Sequence, residues 1–369
     1  MSILVLNVGS SSVKFATFAR MDDGVHELSR GQCARAAGLS PGDAVAADDL
    51  ALVGGVLEAA EREHGAFEAV GHRMVHGGRA FSAPVLVNAK NLAEIAALAP
   101  LAPLHQPHNL MGVRATARLR PGLPQVACFD TAFHRTQPEL HRRLPLPESF
   151  FDEGIERYGF HGLSYTWLVR EIARLRGAAP RRMIAFHLGA GSSACAILDG
   201  RSHDTSMGFS TIDGLMMATR PGALDAGVVL HLIGQGVTLN ELNELFYTRS
   251  GLRGVSGLTA DMKTLLGARE ASAARAIDMY CRRAAVVGAG LAVSLGGLDA
   301  VVFTGGIGEH APAIRAKIVA HLALLGARVD DARNAGDEAR ISPDGADVEC
   351  WIVKADEERV IAEAVVALA

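Results

Sequence analysis

Two segments about half a chain apart repeat one order of hydrophobic and polar positions. Residues 3–18 contain an apolar run, a turn rich in glycine and serine, and a second apolar run. Residues 183–198 repeat this order, with Gly189 and Gly191 in the turn. Short apolar runs joined by a glycine-rich turn are typical of paired strands. The repetition predicts a duplicated α/β domain, although one match of this size also fits coincidence.

Helices are predicted where apolar residues recur at spacings of three and four, as in Asn91–Leu101 and Ser164–Leu175. The Ala-rich segment Thr259–Leu295 predicts one or two long helices, which could also supply a dimer face. A strand is predicted at Ala300–Thr304, and helices are predicted at Ile314–Leu325 and Ala355–Ala369. Helices packed on sheets in mixed α/β layers follow from this pattern.

Length and charge narrow the class of protein. A chain of 369 residues predicts two domains with a cleft between them. The net charge is −4 and the chain has no long run of Lys or Arg. We therefore expect that the protein binds neither nucleic acid nor membranes. The first residues lack a basic leader, and their apolar run is interrupted at Asn7, so we expect a cytoplasmic protein. Five cysteines without a CxxC pair predict neither disulfides nor a zinc knuckle.

The first glycine- and serine-rich turn is a candidate phosphate site. Residues 9–12 and Lys14 could direct backbone N–H groups, hydroxyls and one cation at phosphate oxygens. A tight hairpin whose serines bond to their own backbone explains the same residues. Ser11 and Lys14 also match S-x-x-K, but the SDN and KTG partners of that nucleophile motif are absent from the sequence.

A second glycine-rich segment, Gly306–Ala311, follows the strand predicted at Ala300–Thr304 and fits G-x-G-x-x-A. It could bind nicotinamide dinucleotide, but Gly305 adds a third glycine and the motif stands late in the chain. Nucleotide phosphate or adenosine at a helix N-terminus is the simpler interpretation. The sequence has neither a P-loop nor the protein-kinase motifs, so any ATP would be held by another scaffold.

His72 and His76 have the spacing of a metal pair on a helix, but no glutamate lies between them and the neighbouring glycines disfavour a helix. Arg73, between these histidines, offers a planar fork for a carboxylate or a phosphate. A surface salt bridge is the ordinary alternative for such an arginine.

Ten motifs, taken together and in order, resemble the acetate kinase family along nearly the whole chain: LVLNVGSSSVKF, GHRMVHGG, LAPLHQPHNL, CFDTAFH, RYGFHGLS, HLGAGSSACAI, DTSMGFSTIDGLMMATRPG, SGLRGVSGLTADM, FTGGIGEHAP and ADEERVIA. The resemblance implies a duplicated ribonuclease H-like fold of the actin, sugar-kinase and heat-shock ATPase type, with an active-site cleft between the two domains. We predict a first domain of residues 1–129 plus a C-terminal helix at about 360–369. Residues 130–359 would form the second domain, with the nucleotide site and the dimer face.

The resemblance also implies roles for individual residues. Catalytic roles fall on Asp130, Arg73, Arg220 and His161, and metal binding on Asn7 and Glu357. Nucleotide binding falls on Lys14, Ser10, Ser12, His187, Gly189, Gly191, Asp261, Gly306 and Ile307. The acyl pocket would be lined by Val75, Leu104, Phe160 and Thr211. The implied cofactor is Mg²⁺, with Mn²⁺ as a substitute.

The implied reaction is reversible transfer of the ATP γ-phosphoryl group to acetate, giving acetyl phosphate and ADP by direct in-line displacement. A carboxylate is already an anionic nucleophile, so the catalyst must mainly align two anions and offset their repulsion. The resemblance also implies a homodimer. Two alternatives stay open: a propionate-preferring kinase, and a catalytically silent nucleotide-binding protein of the same fold.

Five positions depart from the family pattern. Ala190, Lys263 and His310 replace asparagine, arginine and asparagine near the expected nucleotide. Tyr165 replaces a histidine, and Thr211 replaces a proline beside the expected acyl group. Nucleotide preference and acyl length therefore remain open from the sequence.

Overall fold

A computed structural model of the chain describes residues 2–9, 12–34 and 46–369. These residues form two compact units. The first contains the chain up to Arg135, Gly162–Trp167 and Asp356–Ala369, and the second contains Thr136–His161 and Leu168–Ala355. The predicted division after residue 129 differs from this one, because Leu163 and Trp167 pack in the apolar core of the first unit.

The strands that the structure describes lie in two sheets, one in each unit. They are β1 (Ser2–Val8), β2 (Ser12–Met21), β3 (Gly24–Ala34), β4 (Ala69–Met74), β5 (Val85–Leu86), β6 (Gln125–Phe129), β7 (Arg182–Leu188), β8 (Ser192–Leu198), β9 (Arg201–Thr205), β10 (Ala300–Thr304) and β11 (Glu349–Ile352).

The helices of the described residues range from one turn to more than six turns. They are α1 (Ala47–His64), α2 (Ala89–Ala97), α3 (Gln106–Leu119), α4 (Glu139–Arg142), α5 (Glu148–Asp152), α6 (Gly162–Arg176), α7 (Ala226–Gly234), α8 (Leu239–Thr248), α9 (Gly251–Ser256), α10 (Met262–Gly267), α11 (Ala271–Ser294), α12 (Gly305–His310), α13 (Pro312–His321), α14 (Asp331–Ala335) and α15 (Glu357–Leu368). Short 3₁₀ turns lie at Ala99–Leu101, Ala132–Thr136 and Ala323–Leu325.

The sheet of the first unit has the order β3-β2-β1-β4-β6-β5. Strand β1 is antiparallel to β2 and parallel to β4. Leu4 and Leu6 of β1 belong to one apolar core with residues of α1 and α3, and Ile3 and Val5 belong to another with residues of α15. Because side chains alternate between the faces of a strand, β1 buries apolar groups on both faces.

The sheet of the second unit has the order β11-β10-β7-β8-β9. Here β7 is antiparallel to β8 and parallel to β10, as β1 is to β2 and β4. Ile184, Phe186 and Leu188 of β7 pack in one core with residues of α11 and α13. The two sheets therefore share a hairpin followed by parallel strands, which confirms the predicted duplication of an α/β domain.

Several element boundaries differ from the pattern because local hydrogen bonds fix them. Helix α2 begins before Asn91, since Asn88 and Asn91 form a reciprocal capping box. Helix α15 begins at Glu357, because the Asp356 carboxylate accepts a hydrogen bond from Arg359 N. The segment predicted at Thr259–Leu295 consists of α10 and α11. No helix among the described residues combines the length and apolar character needed to cross a membrane.

The interior of the first unit contains a histidine that lowers stability in acid. His72 on β4 is 1% exposed, and its Nε2 lies 2.7 Å from Gln125 Oε1. Burial lowers the pKa of His72 to about 4, from an ordinary value of 6.5, because a buried imidazolium is poorly solvated. Between pH 6.5 and about pH 4, His72 is therefore protonated in the unfolded chain and neutral in the folded chain. The free energy of unfolding falls over this range as the pH is lowered.

We expect this one histidine to cost about 2 kcal/mol of unfolding free energy between pH 7 and pH 5. His72→Gln should therefore lose less stability over that range than the native chain. Urea unfolding of both proteins at the two pH values measures the difference. His321→Gln, at an exposed position at the end of α13, is the control. Equal pH dependence in His72→Gln and the native chain would contradict the prediction.

Candidate active site

The carboxyl ends of β1, β4 and β6 bring polar side chains of the first unit together. Arg73 lies near the end of β4, and Asp130 follows β6 directly. Arg73 Nε donates to both Asp130 oxygens at 3.2 and 3.1 Å, and Nη2 donates to Asp130 Oδ2 at 2.5 Å. Arg73 Nη1 lies 3.3 Å from Asn7 Oδ1. The guanidinium is therefore fixed between a carboxylate and an amide.

Two further charged side chains lie around this arginine. Glu357, the first residue of α15, has Oε2 4.0 Å from Arg73 Nε. Lys14 stands opposite Asn7 in the register of β1 and β2, so both side chains leave the same face of the sheet. The structure thus brings Asn7, Lys14, Arg73, Asp130 and Glu357 together within one unit. Ser12 begins β2, and Ser10 lies outside the described residues.

Several carboxylates lie close to Arg73. Burial opposes the cationic form, but the carboxylates of Asp130 and Glu357 outweigh burial and raise the pKa of Arg73. Burial raises the pKa of Glu357 above its ordinary value; Asp130 and Glu358 add to this effect, and Arg73 opposes it. Lys14 also opposes the rise in the pKa of Glu357. An added cation would further reduce the repulsion that Asp130 and Glu358 exert on Glu357.

The donor set also fits a hard divalent cation. Carboxylate and amide oxygens, as on Asp130, Glu357 and Asn7, are the ligands that Mg²⁺ prefers. Among the residues that the structure describes, no three His, Cys, Asp or Glu side chains are grouped to hold a metal by themselves. A magnesium ion typically takes one or two carboxylates from the protein and further oxygens from substrate phosphates. The residues present therefore fit a metal that arrives with a nucleotide.

The second unit gathers another set around the β7–β8 hairpin. His161 has φ = 60°, a left-handed conformation that is uncommon for a non-glycine residue and frequent at functional sites. Its Nδ1 lies 2.8 Å from Ser193 Oγ, and its ring stacks on that of His187 at 4.2 Å between centroids. His187 faces Ser193 across the hairpin. The β7–β8 hairpin therefore holds two predicted site histidines together, His187 as part of β7 and His161 through its contacts with His187 and Ser193.

Arg220 reaches the turn of the same hairpin. Its Nη1 donates to the Thr211 carbonyl at 2.7 Å, and a hydrogen bond of 3.2 Å joins Ala218 N to the Ala190 carbonyl in the turn. A Cβ atom built at Gly191 would lie 2.7 Å from Arg220 Nη2 and 3.2 Å from His161 Nε2. Gly191 therefore leaves space that these two side chains use.

Gly191→Ala tests this close approach. The added methyl group would displace the end of Arg220, a flexible side chain, so we expect normal folding and a fall in turnover at this site of about 100-fold, the effect of a small misplacement. Steady-state turnover and a thermal melt measure the two effects. Gly55→Ala, on α1 of the first unit, is the matched control, because a Cβ at Gly55 meets no atom within 4 Å. Native turnover in Gly191→Ala would contradict this description.

A cavity of about 650 Å³ lies in the second unit beside the hairpin turn. Four predicted nucleotide residues line it, namely Gly189, Asp261, Gly306 and Ile307. Three of the departures from the family pattern line it too, namely Ala190, Lys263 and His310. The volume suits a ligand of nucleotide size. Asp261 also has an ordinary structural role, because its Oδ2 caps α10 through Thr264 N at 2.8 Å.

The residues predicted to line an acyl pocket belong to both units. In the first unit Val75 is buried, whereas Leu104 is 43% exposed. In the second unit Phe160 and Thr211 are buried. Tyr165, another departure, is fully buried with its ring 6.0 Å from that of Phe133 and therefore has a packing role.

Sequence reasoning missed two buried residues that support the cavity. Arg315 on α13 is fully buried and donates to the carbonyls of Gly308 and Glu309 on α12, to Asn334 and to Asp337. Tyr280 on α11 shares a hydrogen bond of 3.0 Å with Ser192, which bonds back to Gly189 in the hairpin turn. Neither lies in one of the motifs identified from the sequence, and the bonds to Ser192 and Asn334 join residues of different elements.

Comparison with known proteins gives one consistent result. The family model described as the acetokinase family matches residues 42–363. An acetate kinase from Rhodopseudomonas palustris is 43% identical over all of this chain and 98% of its own length. A propionate kinase structure from Francisella tularensis has a TM-score of 0.89 at 33% identity, covering 100% of both chains. An acetate kinase structure from Porphyromonas gingivalis has a TM-score of 0.87 at 32% identity, covering 100% of this chain and 99% of its own.

Proposed function

Since the chain belongs to the acetokinase family, we propose that it transfers the terminal phosphoryl group of ATP to the carboxylate of acetate, and back again. The observation that carries this proposal is the fixed Arg73, held between Asn7 and Asp130 at the carboxyl ends of three strands. The proposed products are acetyl phosphate and ADP, formed by direct in-line displacement.

The proposed reaction requires the protein to supply cations and to align acetate with the γ-phosphate of ATP. Acetate needs no general base, since it attacks as an anion, and the main barrier is repulsion between it and the γ-phosphate. Arg73 and Arg220 would offset charge on the carboxylate and on the equatorial phosphoryl oxygens. His161 would donate a hydrogen bond to the phosphoryl group during transfer. Its restricted position against Ser193 and His187 supports that role.

Asn7, Asp130 and Glu357 would hold a divalent cation, Mg²⁺ or in its place Mn²⁺. When bound, such an ion bridges phosphate oxygens and offsets the charge that develops on them. The carboxylates around Arg73 support this assignment. The adenosine of ATP would occupy the cavity lined by Asp261, Gly306 and Ile307, with its phosphates toward His187, Gly189 and Gly191.

Propionate is a second candidate acceptor, because one structure with a TM-score of 0.89 is that of a propionate kinase. One methylene group changes binding in an apolar pocket by about 1–3 kcal/mol, so the preference depends on small differences in pocket shape. Thr211 would be among the residues that set this preference. It replaces the proline that the family pattern has beside the acyl group.

We propose in addition that the protein forms a homodimer through α7 and α11. On α7, Leu230 is 70% exposed and Ile233 is 53% exposed, and on α11, Val286 and Val293 are 55% and 81% exposed. Large apolar side chains exposed on a helix surface are candidates for burial in a protein interface. We expect sedimentation to give twice the mass of one chain and Leu230→Glu to reduce it. A monomeric native protein would contradict the proposal.

A hydroxamate assay with ATP and magnesium tests the proposed function. Hydroxylamine traps an acyl phosphate, so acetate, propionate and butyrate should give colour in proportion to the rate of phosphoryl transfer to each acid. We expect the fastest rate with acetate. A faster rate with propionate would move the assignment to the second candidate, and background colour with all three acids would favour a silent nucleotide-binding protein.

A further inference from the structure

We infer that Asn109 is a positioning residue, which sets the distance between Asn7 and Arg73. Asn109 lies on α3, is 3% exposed, and touches neither side chain through a hydrogen bond of its own. It binds instead to the backbone beside each of them. Its Nδ2 donates to the Val8 carbonyl at 2.8 Å, and its Oδ1 accepts from Val75 N at 2.9 Å.

The two backbone groups that Asn109 joins lie beyond the last residues that pair β1 with β4. The parallel pairing of β1 with β4 ends at Leu6 and His72. Asn7 follows Leu6, and Arg73 follows His72. Strand ends that no longer pair with each other can drift apart unless another group satisfies their N–H and C=O groups. The amide of Asn109 supplies that donor and acceptor, one to each strand.

The side chains at these strand ends depend on that link. Arg73 Nη1 is 3.3 Å from Asn7 Oδ1, a distance near the limit of a hydrogen bond. A small separation of β1 from β4 would break this contact, while Arg73 would remain on Asp130 because β4 and β6 pair as far as Met74 and Phe129. The inference rests on the proposed function, in which Asn7 holds the divalent cation and Arg73 offsets charge on the acetate carboxylate and the phosphoryl oxygens beside it.

Gln106 provides an unusually close comparison. It lies three residues before Asn109 on α3 and is fully buried. Its Oε1 accepts from His76 N at 3.0 Å, and its Nε2 donates to the His76 carbonyl at 2.9 Å. Both residues are thus buried amides that hold backbone after β4. Of these two amides, Asn109 alone bonds to the chain at the ends of both β1 and β4. Loss of Gln106 should therefore affect stability without separating Asn7 from Arg73.

The test compares Asn109→Leu, which has a similar volume and no hydrogen bonds, with Gln106→Leu. We expect Asn109→Leu to lower kcat by about 10–100-fold, the range for a misplacement of up to 1 Å, and to leave KM for ATP within about threefold. Gln106→Leu should keep kcat within about threefold of native. Rates are normalised to folded protein by circular dichroism. Asn109→Ala replaces the leucine variant if that variant does not fold. Equal losses of kcat in the Asn109 and Gln106 variants would overturn the inference.

A double-mutant cycle with Asn7→Ala decides whether Asn109 acts through Asn7. In the Asn7→Ala background we expect Asn109→Leu to lower kcat by less than about threefold, because the distance that it maintains no longer matters. Additive losses would make Asn109 a structural residue only and would overturn the inference while leaving the proposed function intact. An inactive native protein in the hydroxamate assay would instead overturn the proposed function, and the inference with it.

Discussion

Arg220→Ala is expected to lower turnover by about 10³–10⁵-fold, the range for removal of an arginine that stabilises a phosphoryl transition state. The structure places this guanidinium against Gly191 and His161 at the hairpin turn of the second unit. The side chain is only partly buried, so its loss should change the melting temperature little. The hydroxamate assay measures turnover, and a thermal melt confirms that the variant is folded.

Two further variants make this result specific. Arg220→Lys keeps the charge but loses the planar fork, and we expect intermediate turnover because an ammonium cannot bind two oxygens side by side. Arg201→Ala removes an exposed arginine from the start of β9 and should behave as the native protein. Near-native turnover in a folded Arg220→Ala variant would remove Arg220 from the proposed site.

Arg73→Met is expected to lower both turnover and stability. Turnover should fall by about 10³-fold or more, because Arg73 supplies the guanidinium that offsets charge on the reacting oxygens. Stability should fall by about 3–5 kcal/mol, since Asp130 is 1% exposed and would keep a buried negative charge without its partner. Urea unfolding and the hydroxamate assay measure the two quantities separately.

The double variant Arg73→Met with Asp130→Asn separates these two effects. Replacing the carboxylate by an amide removes the uncompensated charge, so we expect part of the lost stability to return. Activity should not return, because the guanidinium is still absent and Asp130, a proposed ligand of the divalent cation, has also lost its charge. Recovery of turnover in the double variant would show that Arg73 serves only to balance Asp130. A single variant as stable as the native chain would contradict the buried ion pair.

Much of the fold is predictable from local sequence. The hairpins at β1–β2 and β7–β8 follow from apolar runs separated by glycine and serine, and the strand predicted at Ala300–Thr304 coincides with β10. Element boundaries were less accurate. The glycine-rich segment after β10 forms helix α12 from Gly305 onward, because the Glu309 carboxylate accepts a hydrogen bond from Gly305 N at 2.9 Å. Such a side-chain cap has no periodic signal in the sequence.

Some residues of the candidate site were also predictable from the sequence, and others were not. Motifs and the resemblance that they carry identified Arg73, Asp130, His161 and Arg220, since these residues stand in short and recognisable segments. The structure then placed Arg73 with Asp130 and Glu357 in one unit, and His161 with Arg220 in the other. The supporting residues Asn109, Tyr280 and Arg315 came only from the structure.

The sequence by itself determined the two hairpins, several of the helices and the family that the chain resembles, because hydrophobic periodicity and contiguous motifs are local properties. Tertiary structure alone decided which distant groups meet. Val8 and Val75 reach one amide on α3, and Ser192 reaches a tyrosine on α11, through strands and helices that lie far apart along the chain. The physical reason is that each such contact is fixed by the packing of whole elements, which no short stretch of residues specifies.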